Sequence, residues 1–428
     1  MRAALAGALA VVFACLGSHA WAAGFYLYEF GTPDVGLASA GYTTRAGDAG
    51  TLFTNPAGMT RLEGNQVLGG IQALYGNASF EADAGTQVPG GGGNGGNAMG
   101  WLPGGGLFFV ARPAPSALPN LSVGFGTLSY FGSALKYDDD WVGRYYLQEG
   151  TMLGISLMPS VAYKFTDWLS VGAGLNVMYG YLKGQVAVNN IAPGLPDGQL
   201  EYKDEAWGFG ANVGVLIEPL KGTRIGVTYL SQLSLDFKAN PEFSNLGPGM
   251  TTVLRNRGLL GAQLDLGMTL PNRVMFGVHQ ELGKGWAVML DVNWEQWSQF
   301  GKVEVGIDSA NPVSLTKTVN YNDTWHIGVG AQFRPSERWV LSGGFAYDSS
   351  MMDDDERTVA TPVGANYRFG LGAQYAIQKN LQLGLSYEFI WGGNLPVNQS
   401  RGPLAGQVSG EFQNSYANII ALNVNWTF

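Results

Sequence analysis

Charge is what this chain has least of. Lys, Arg, Asp and Glu make up 13% of its 428 residues, where ordinary soluble domains carry about a quarter. The length would accommodate two or three such domains, but this little charge argues against surfaces built for water. The net charge of −9 provides no basic footprint, so nucleic acid is excluded as a partner. Cys15 is the single cysteine, so stability must come from something other than disulfides. Only three histidines occur, and there is neither a nucleophile elbow nor an HExxH motif. The acidic runs Asp138–Asp140 and Asp353–Glu356 lack the glycine and terminal glutamate of a calcium loop and read as solvated or lipopolysaccharide-facing charge. No cofactor, metal or enzymatic activity is therefore expected. An enzyme whose triad assembles only in space stays as an alternative. Beyond residue 22 no run of 18 uncharged apolar residues appears, which excludes membrane helices.

What the chain does have is a leader and then alternation. Residues 1–22 read as a signal peptide: Arg2 is the positive start, Ala3 to Leu16 the apolar core, and Ala20-Trp21-Ala22 the small-x-small cleavage site. A lipoprotein signal on Cys15 is the alternative, although Phe13-Ala14 before it fits poorly. At the other end, Ile420, Leu422, Val424, Trp426 and Phe428 alternate with Ala421, Asn423, Asn425 and Thr427. That is a strand with one greasy face. A terminal aromatic on such a strand resembles the signal read by the barrel assembly machinery of bacterial outer membranes.

The same period recurs in Trp207–Ile217, Trp325–Phe333 and Leu381–Trp391. Short turns near 113–119, 166–167, 220–222, 283–285, 335–337 and 378–380 alternate with long loops near 82–100, 134–149, 187–203, 239–257, 307–316, 351–363 and 396–410. Thirteen connections predict a 14-stranded antiparallel transmembrane β-barrel over residues 63–428, an all-β membrane protein. The count requires Gly258–Leu282 to be one strand kinked at Pro271. By parity Asp291, His326, Arg368 and His279 point inward, where water or ligand meets them.

Two stretches break the pattern. Residues 23–62, rich in Gly, Ala and Thr and closing on Asn55-Pro56-Ala57-Gly58, do not alternate and read as an N-terminal hatch inside the barrel. In the third strand Leu121, Val123 and Phe125 face one way, while beyond Gly126 the apolar phase moves to Leu128 and Tyr130. A one-residue slip at Gly126 means either a local opening in the wall or an ordinary bulge.

Residues Ala23-Gly24-Phe25, Asp48-Ala49-Gly50, Asn55-Pro56-Ala57, Trp101-Leu102-Pro103, Trp141–Tyr145 and Trp297-Ser298-Gln299-Phe300 together resemble the FadL/TodX family of outer-membrane transporters. The resemblance covers the whole mature chain. It implies passive uptake of hydrophobic compounds, long-chain fatty acids or hydrocarbons, by a self-plugged monomer. Ligand would bind at Phe25, Tyr26 and Leu27 and leave sideways into outer-membrane lipid, with Asn55, Pro56, Ala57 and Gly126 as gate. Family members that bind fatty acids place basic groups in the pocket. Here Tyr181 and Asn322 stand at two such places, with Lys183 and His326 nearby as substitutes. Losing the carboxylate's partner would favour an uncharged ligand. A general porin is the competing transport reading.

Overall fold

The structure is a computed structural model describing residues 25–113, 116–192, 194–300, 302–308, 313–314, 317–318 and 320–428. The expected signal peptide lies outside the described residues. Period-two sequences become long strands, each pairing with its neighbour in sequence. Among the described residues the wall comprises β1 (Gln66–Ala82), β2 (Gly100–Ala111), β3 (Leu121–Lys136), β4 (Glu149–Lys164), β5 (Leu169–Val188), β6 (Gly198–Leu220), β7 (Thr223–Leu230), β8 (Arg273–Gly283), β9 (Trp286–Glu295), β10 (Thr324–Phe333), β11 (Trp339–Asp348), β12 (Asn366–Gln378), β13 (Leu381–Ser400) and β14 (Gln407–Thr427). β14 pairs with β1 and closes the ring. Closure satisfies the backbone without a free edge, which a membrane demands.

The faces sort as the alternation predicts. Ile420, Leu422, Val424 and Trp426 are exposed, while Ile419, Ala421 and Asn423 between them are buried. Asp291, His326, Arg368 and His279 all turn inward and are buried. Lipid solvates one face, and the other covers residues 25–62, nearly all of which are buried.

The chain does break at Pro271, but Gly258–Leu282 is two strands rather than one kinked strand, Gln263–Leu270 and Arg273–Gly283 in different sheets, and the neighbouring strand divides opposite it. Proline has no N–H for the ladder, and pairing stops between Leu270↔Leu233 and Arg273↔Leu230. Asn272 fills the gap by accepting from Gln232 N at 3.0 Å and Tyr229 Oη at 2.6 Å. Beyond the break, Leu233–Ala239 and Gln263–Leu270 continue as a ribbon that leaves the wall sheet. Two expected boundaries differ. Lys302–Asp308 is a strand on that ribbon rather than wall, pairing Gln263↔Asp308 through Gly267↔Glu304. β13 continues through Pro396 to Ser400, opposite Gln407, which shortens the last loop.

Wall glycines let the inner segment lie backbone-on-backbone against the barrel. A Cβ on Gly344 would sit 1.8 Å from Leu37 O, and one on Gly70 would sit 2.0 Å from Gly31 O. The inward face carries no side chain where the plug touches it, which accounts for much of the chain's glycine.

Candidate functional site

β2 and β3 pair only from Ala111↔Val123 to Gly106↔Leu128. Past that point β2 continues on β1 alone, from Gly105↔Ile71 to Gly100↔Gly76. β3 bends away, and its register with β4 shifts between Leu128 and Phe131. The freed groups of β3 find the plug instead. Leu27 N donates to Tyr130 O at 2.7 Å, and Gly132 N donates to Phe25 O at 3.2 Å, with Tyr26 opposite Phe131. The inner segment thus takes the place of a wall strand at a parting in the wall. Outside the parting is a groove of about 820 Å³, lined among others by Gly69, Gly106, Thr127, Ser129, Ile155 and Asn423.

The parting corrects the reading of Gly126. Alternation runs through Gly126 unbroken: Phe125 is 46% exposed, and Ser122, Leu128 and Tyr130 are buried. Apolar residues change faces there because the inner face is dry. Gly126 lies against Leu52 and Phe108, so both faces of β3 accept hydrocarbon. The backbone break comes later, at Ser129–Tyr130.

Behind the parting is an aromatic cage. Phe25 lies edge-on to Phe131 at 6.3 Å and to Trp297 at 5.6 Å, and 5.0 Å from Phe300. Tyr26 is 5.0 Å from Trp297 and 5.5 Å from Tyr130. Both rings of Trp297-Ser298-Gln299-Phe300 therefore serve the cage. Leu27, partly buried, holds β3 by its backbone. Tyr26 Oη donates to Pro271 O at 2.7 Å, so the strand break supplies an acceptor to the plug.

Next to the cage the plug sits on buried charge. Arg368 of β12 reaches Asp348 Oδ2 at 2.5 Å and Glu388 Oε1 at 3.2 Å, and it also binds Glu29 of the plug. His326 Nδ1 is 2.7 Å from Asp348 Oδ1, and the imidazole stacks on Tyr28 at 4.3 Å. Asp291 accepts from Gly41 N and from Thr43 N and Oγ1, the latter two at 3.1 and 3.0 Å. Arg273 pairs with Glu295 at 2.5 Å and lies between the rings of Tyr26 and Tyr28, 4.5 and 4.4 Å from their centroids.

Of the expected ligand residues, Phe25, Tyr26, Leu27 and His326 come together here. Tyr181 and Lys183 do not. Leu182 between them is the buried one, so both point away from the lumen, and Lys183 pairs with Glu149 at 2.7 Å. Asn322 is exposed beside Asp353. The expected gate also divides. Asn55-Pro56-Ala57 lies on β5 and β6, where a Cβ on Gly214 would be 2.1 Å from Asn55 Oδ1 and one on Gly172 would be 2.4 Å from Pro56 C. Asn55 Nδ2 donates to Thr43 O and Val215 O at 2.8 and 3.0 Å. That turn fastens the plug to the wall away from the parting. Residues 25–31 are the ones at the parting. Glu29, Arg273 and Glu295 were missed from the sequence, although the parity that turned His279 inward turns Arg273 inward on the same strand.

The family model described as outer membrane protein transport protein (OMPP1/FadL/TodX) matches residues 13–428. The chain belongs to this family. It is an outer-membrane transport protein. The family's curated members include a long-chain fatty acid transport protein of Escherichia coli O6:H1, 27% identical over 451 residues and covering 98% of each chain. Among solved structures, a Pseudomonas aeruginosa FadL homologue matches with a TM-score of 0.81 at 21% identity, covering 95% of this chain and 100% of that one. The Ralstonia pickettii toluene transporter TbuX matches at 0.65 and 20% identity, covering 94% and 99%. At these identities the two structures bear on the fold.

Proposed function

We propose that the protein takes up long-chain fatty acids passively. In this reading residues 23–62 act as a hatch after removal of residues 1–22, and residues 63–428 form the barrel. Ligand reaches the cage of Phe25, Phe131, Trp297 and Phe300, and leaves sideways between β2 and β3 into lipid. The observation carrying this reading is the parting of β2 from β3 with the cage directly behind it. Transfer of an acyl chain into the cage is favourable by about 25 cal/mol per Å² of apolar surface buried. Movement of Phe25–Leu27 off β3 would open the way, since two backbone hydrogen bonds hold them there. The protein would work as a monomer, inserted by the barrel assembly machinery and facing lipopolysaccharide outside.

Hydrocarbon uptake by the same route is the second reading, favoured by the wholly apolar rings of Phe25, Phe131 and Phe300. The E. coli relative is named for long-chain fatty acids and TbuX for toluene, so both classes are within the family's range. The test is uptake of labelled oleate and labelled hexadecane by cells with and without the protein. Uptake that depends on the protein is the expected result. Equal uptake of both compounds without it would remove the transport reading.

A further inference from the structure

The short-turn end of the barrel, which faces the periplasm in barrels of this kind, carries its free positive charge on one side. The consecutive turns β6–β7, β8–β9, β10–β11 and β12–β13 present Lys221, Lys284, Arg334, Arg338 and Lys379, all of them exposed. None of these cations forms an ion pair among the described residues. Arg338 donates to Tyr375 Oη at 3.3 Å. Glu281 and Glu337 are the carboxylates left free on the same arc, since Glu218 is taken by Arg61. The arc is therefore positive on a chain whose net charge is −9. Lys284 holds φ +51° between Gly283 and Gly285, a left-handed backbone where glycine or asparagine is usual. The rest of the rim is different. Arg112 donates to Thr60 O and Leu62 O at 3.2 and 2.9 Å, and Lys164 faces Asp167 at 3.5 Å.

Exposed apolar side chains stand beside these cations: Leu220 before Lys221, Leu282 and Trp286 around Lys284, Trp339 after Arg338, and Ile377 before Lys379. An apolar belt that gives way to cations marks the level where acyl chains end and headgroups begin. We propose that this arc binds the phosphates of anionic phospholipids in the inner leaflet of the outer membrane. Neighbouring turns are two strands apart, about 10 Å across the sheet, so one shell of lipid can bring a separate phosphate to each turn. A zwitterionic headgroup carries its own ammonium beside the phosphate and gains less from the arc than phosphatidylglycerol does. An acidic protein surface would match the charge but not the apolar side chains beside it, which lie against lipid. The acidic runs Asp138–Asp140 and Asp353–Glu356 are in long loops at the opposite end of the barrel and do not oppose the contact. The centre of the arc falls between β9 and β10, diametrically opposite the parting of β2 from β3 in the closed ring. Lipid held there anchors the barrel from the far side and leaves the parting free.

The experiment is native mass spectrometry of the whole barrel in detergent, titrated with phosphatidylglycerol and phosphatidylethanolamine of identical acyl chains. Wild-type protein should retain phosphatidylglycerol about tenfold more tightly. The triple variant Lys221→Gln/Lys284→Gln/Lys379→Gln should lose most of that preference. Its three side chains are exposed and pair with no carboxylate, so folding is not at issue. Lys164→Gln, on the other half of the rim, is the control and should keep the full preference. Raising the salt to about 1 M should weaken the wild-type preference as well, because the Debye length falls to about 3 Å. An unchanged preference in the triple variant overturns the proposal. Equal retention of the two lipids by wild-type protein also overturns it, and is the result expected if the arc serves an acidic protein instead.

Discussion

Arg368→Met will speed amide hydrogen exchange in residues 29–42 on the order of 100-fold while leaving the wall strands protected. Arg368 is fully buried and meets three carboxylates, Glu29 on the plug and Asp348 and Glu388 on the wall. It is the cation that makes their burial tolerable. Removing one partner of a buried ion pair costs about 3–5 kcal/mol, because the remaining charge cannot reach water. Here the cheapest relief is for Glu29 to leave, since Asp348 and Glu388 belong to hydrogen-bonded strands and Glu29 to a segment without a ladder. The loss should therefore be local. Tyr28 and Phe30 flank Glu29, so their packing on His326 at 4.3 Å and on Phe53 at 5.2 Å loosens with it. Exchange mapped by mass spectrometry on protein in detergent reads this directly. Unchanged protection in residues 29–42 would mean that the charge cluster does not seat the plug.

Gly69→Trp will lower uptake of oleate and hexadecane together by about tenfold, a barrier increase of about 1.4 kcal/mol. Gly69 lines the groove outside the parting. A Cβ there comes no closer than 3.6 Å to Leu107 Cδ1, so the backbone accepts a side chain and the indole fills the groove from the lipid side. Its neighbour Gly70 would be a poor choice, since its Cβ would meet Gly31 O at 2.0 Å and displace the plug. Leu175→Trp, at a lipid-facing position on β5, is the control and should not change uptake. Because the route is shared, both ligands should fall alike. Full uptake through Gly69→Trp would place the exit elsewhere.

The wall was legible in the sequence because lipid imposes a simple rule. Every second residue from Ile420 to Trp426 had to be apolar, and the same parity turned Asp291, His326 and Arg368 inward. Pro271 could be read as an irregularity because proline cannot serve the ladder, although it separates two strands rather than bending one. The rule failed where the lumen is dry. At Gly126 the apolar residues changed faces while the strand kept its phase, because Leu128 and Tyr130 face a hydrophobic plug. Parity read from hydrophobicity sees a slip there that the backbone does not make. The true break at Ser129–Tyr130 comes from an exchange of partners, β2 for residues 25–27, and such an exchange has no composition to betray it. Tyr181 and Lys183 rested on the family resemblance alone, although Leu182 between them marked the inward face. Arg273 was open to view by parity. What it meets, Glu295 and the rings of Tyr26 and Tyr28, is a property of three-dimensional neighbours. The turn Asn55-Pro56-Ala57 could be seen as a turn, but its site on Gly172 and Gly214 depends on which glycines of the wall face the lumen at that height.

The central claim is that ligand leaves sideways between β2 and β3. The direct measurement uses oleate carrying a diazirine at its methyl end, illuminated during uptake, with the cross-linked residues mapped by mass spectrometry. The account predicts labels on Thr127, Ser129 and Ile155 at the groove, together with Phe25, Phe131 and Trp297 in the cage. Labels on Arg45, Arg61, Arg224 and His279, beneath the plug at the end of the barrel with the short turns, and none at the groove, would contradict it.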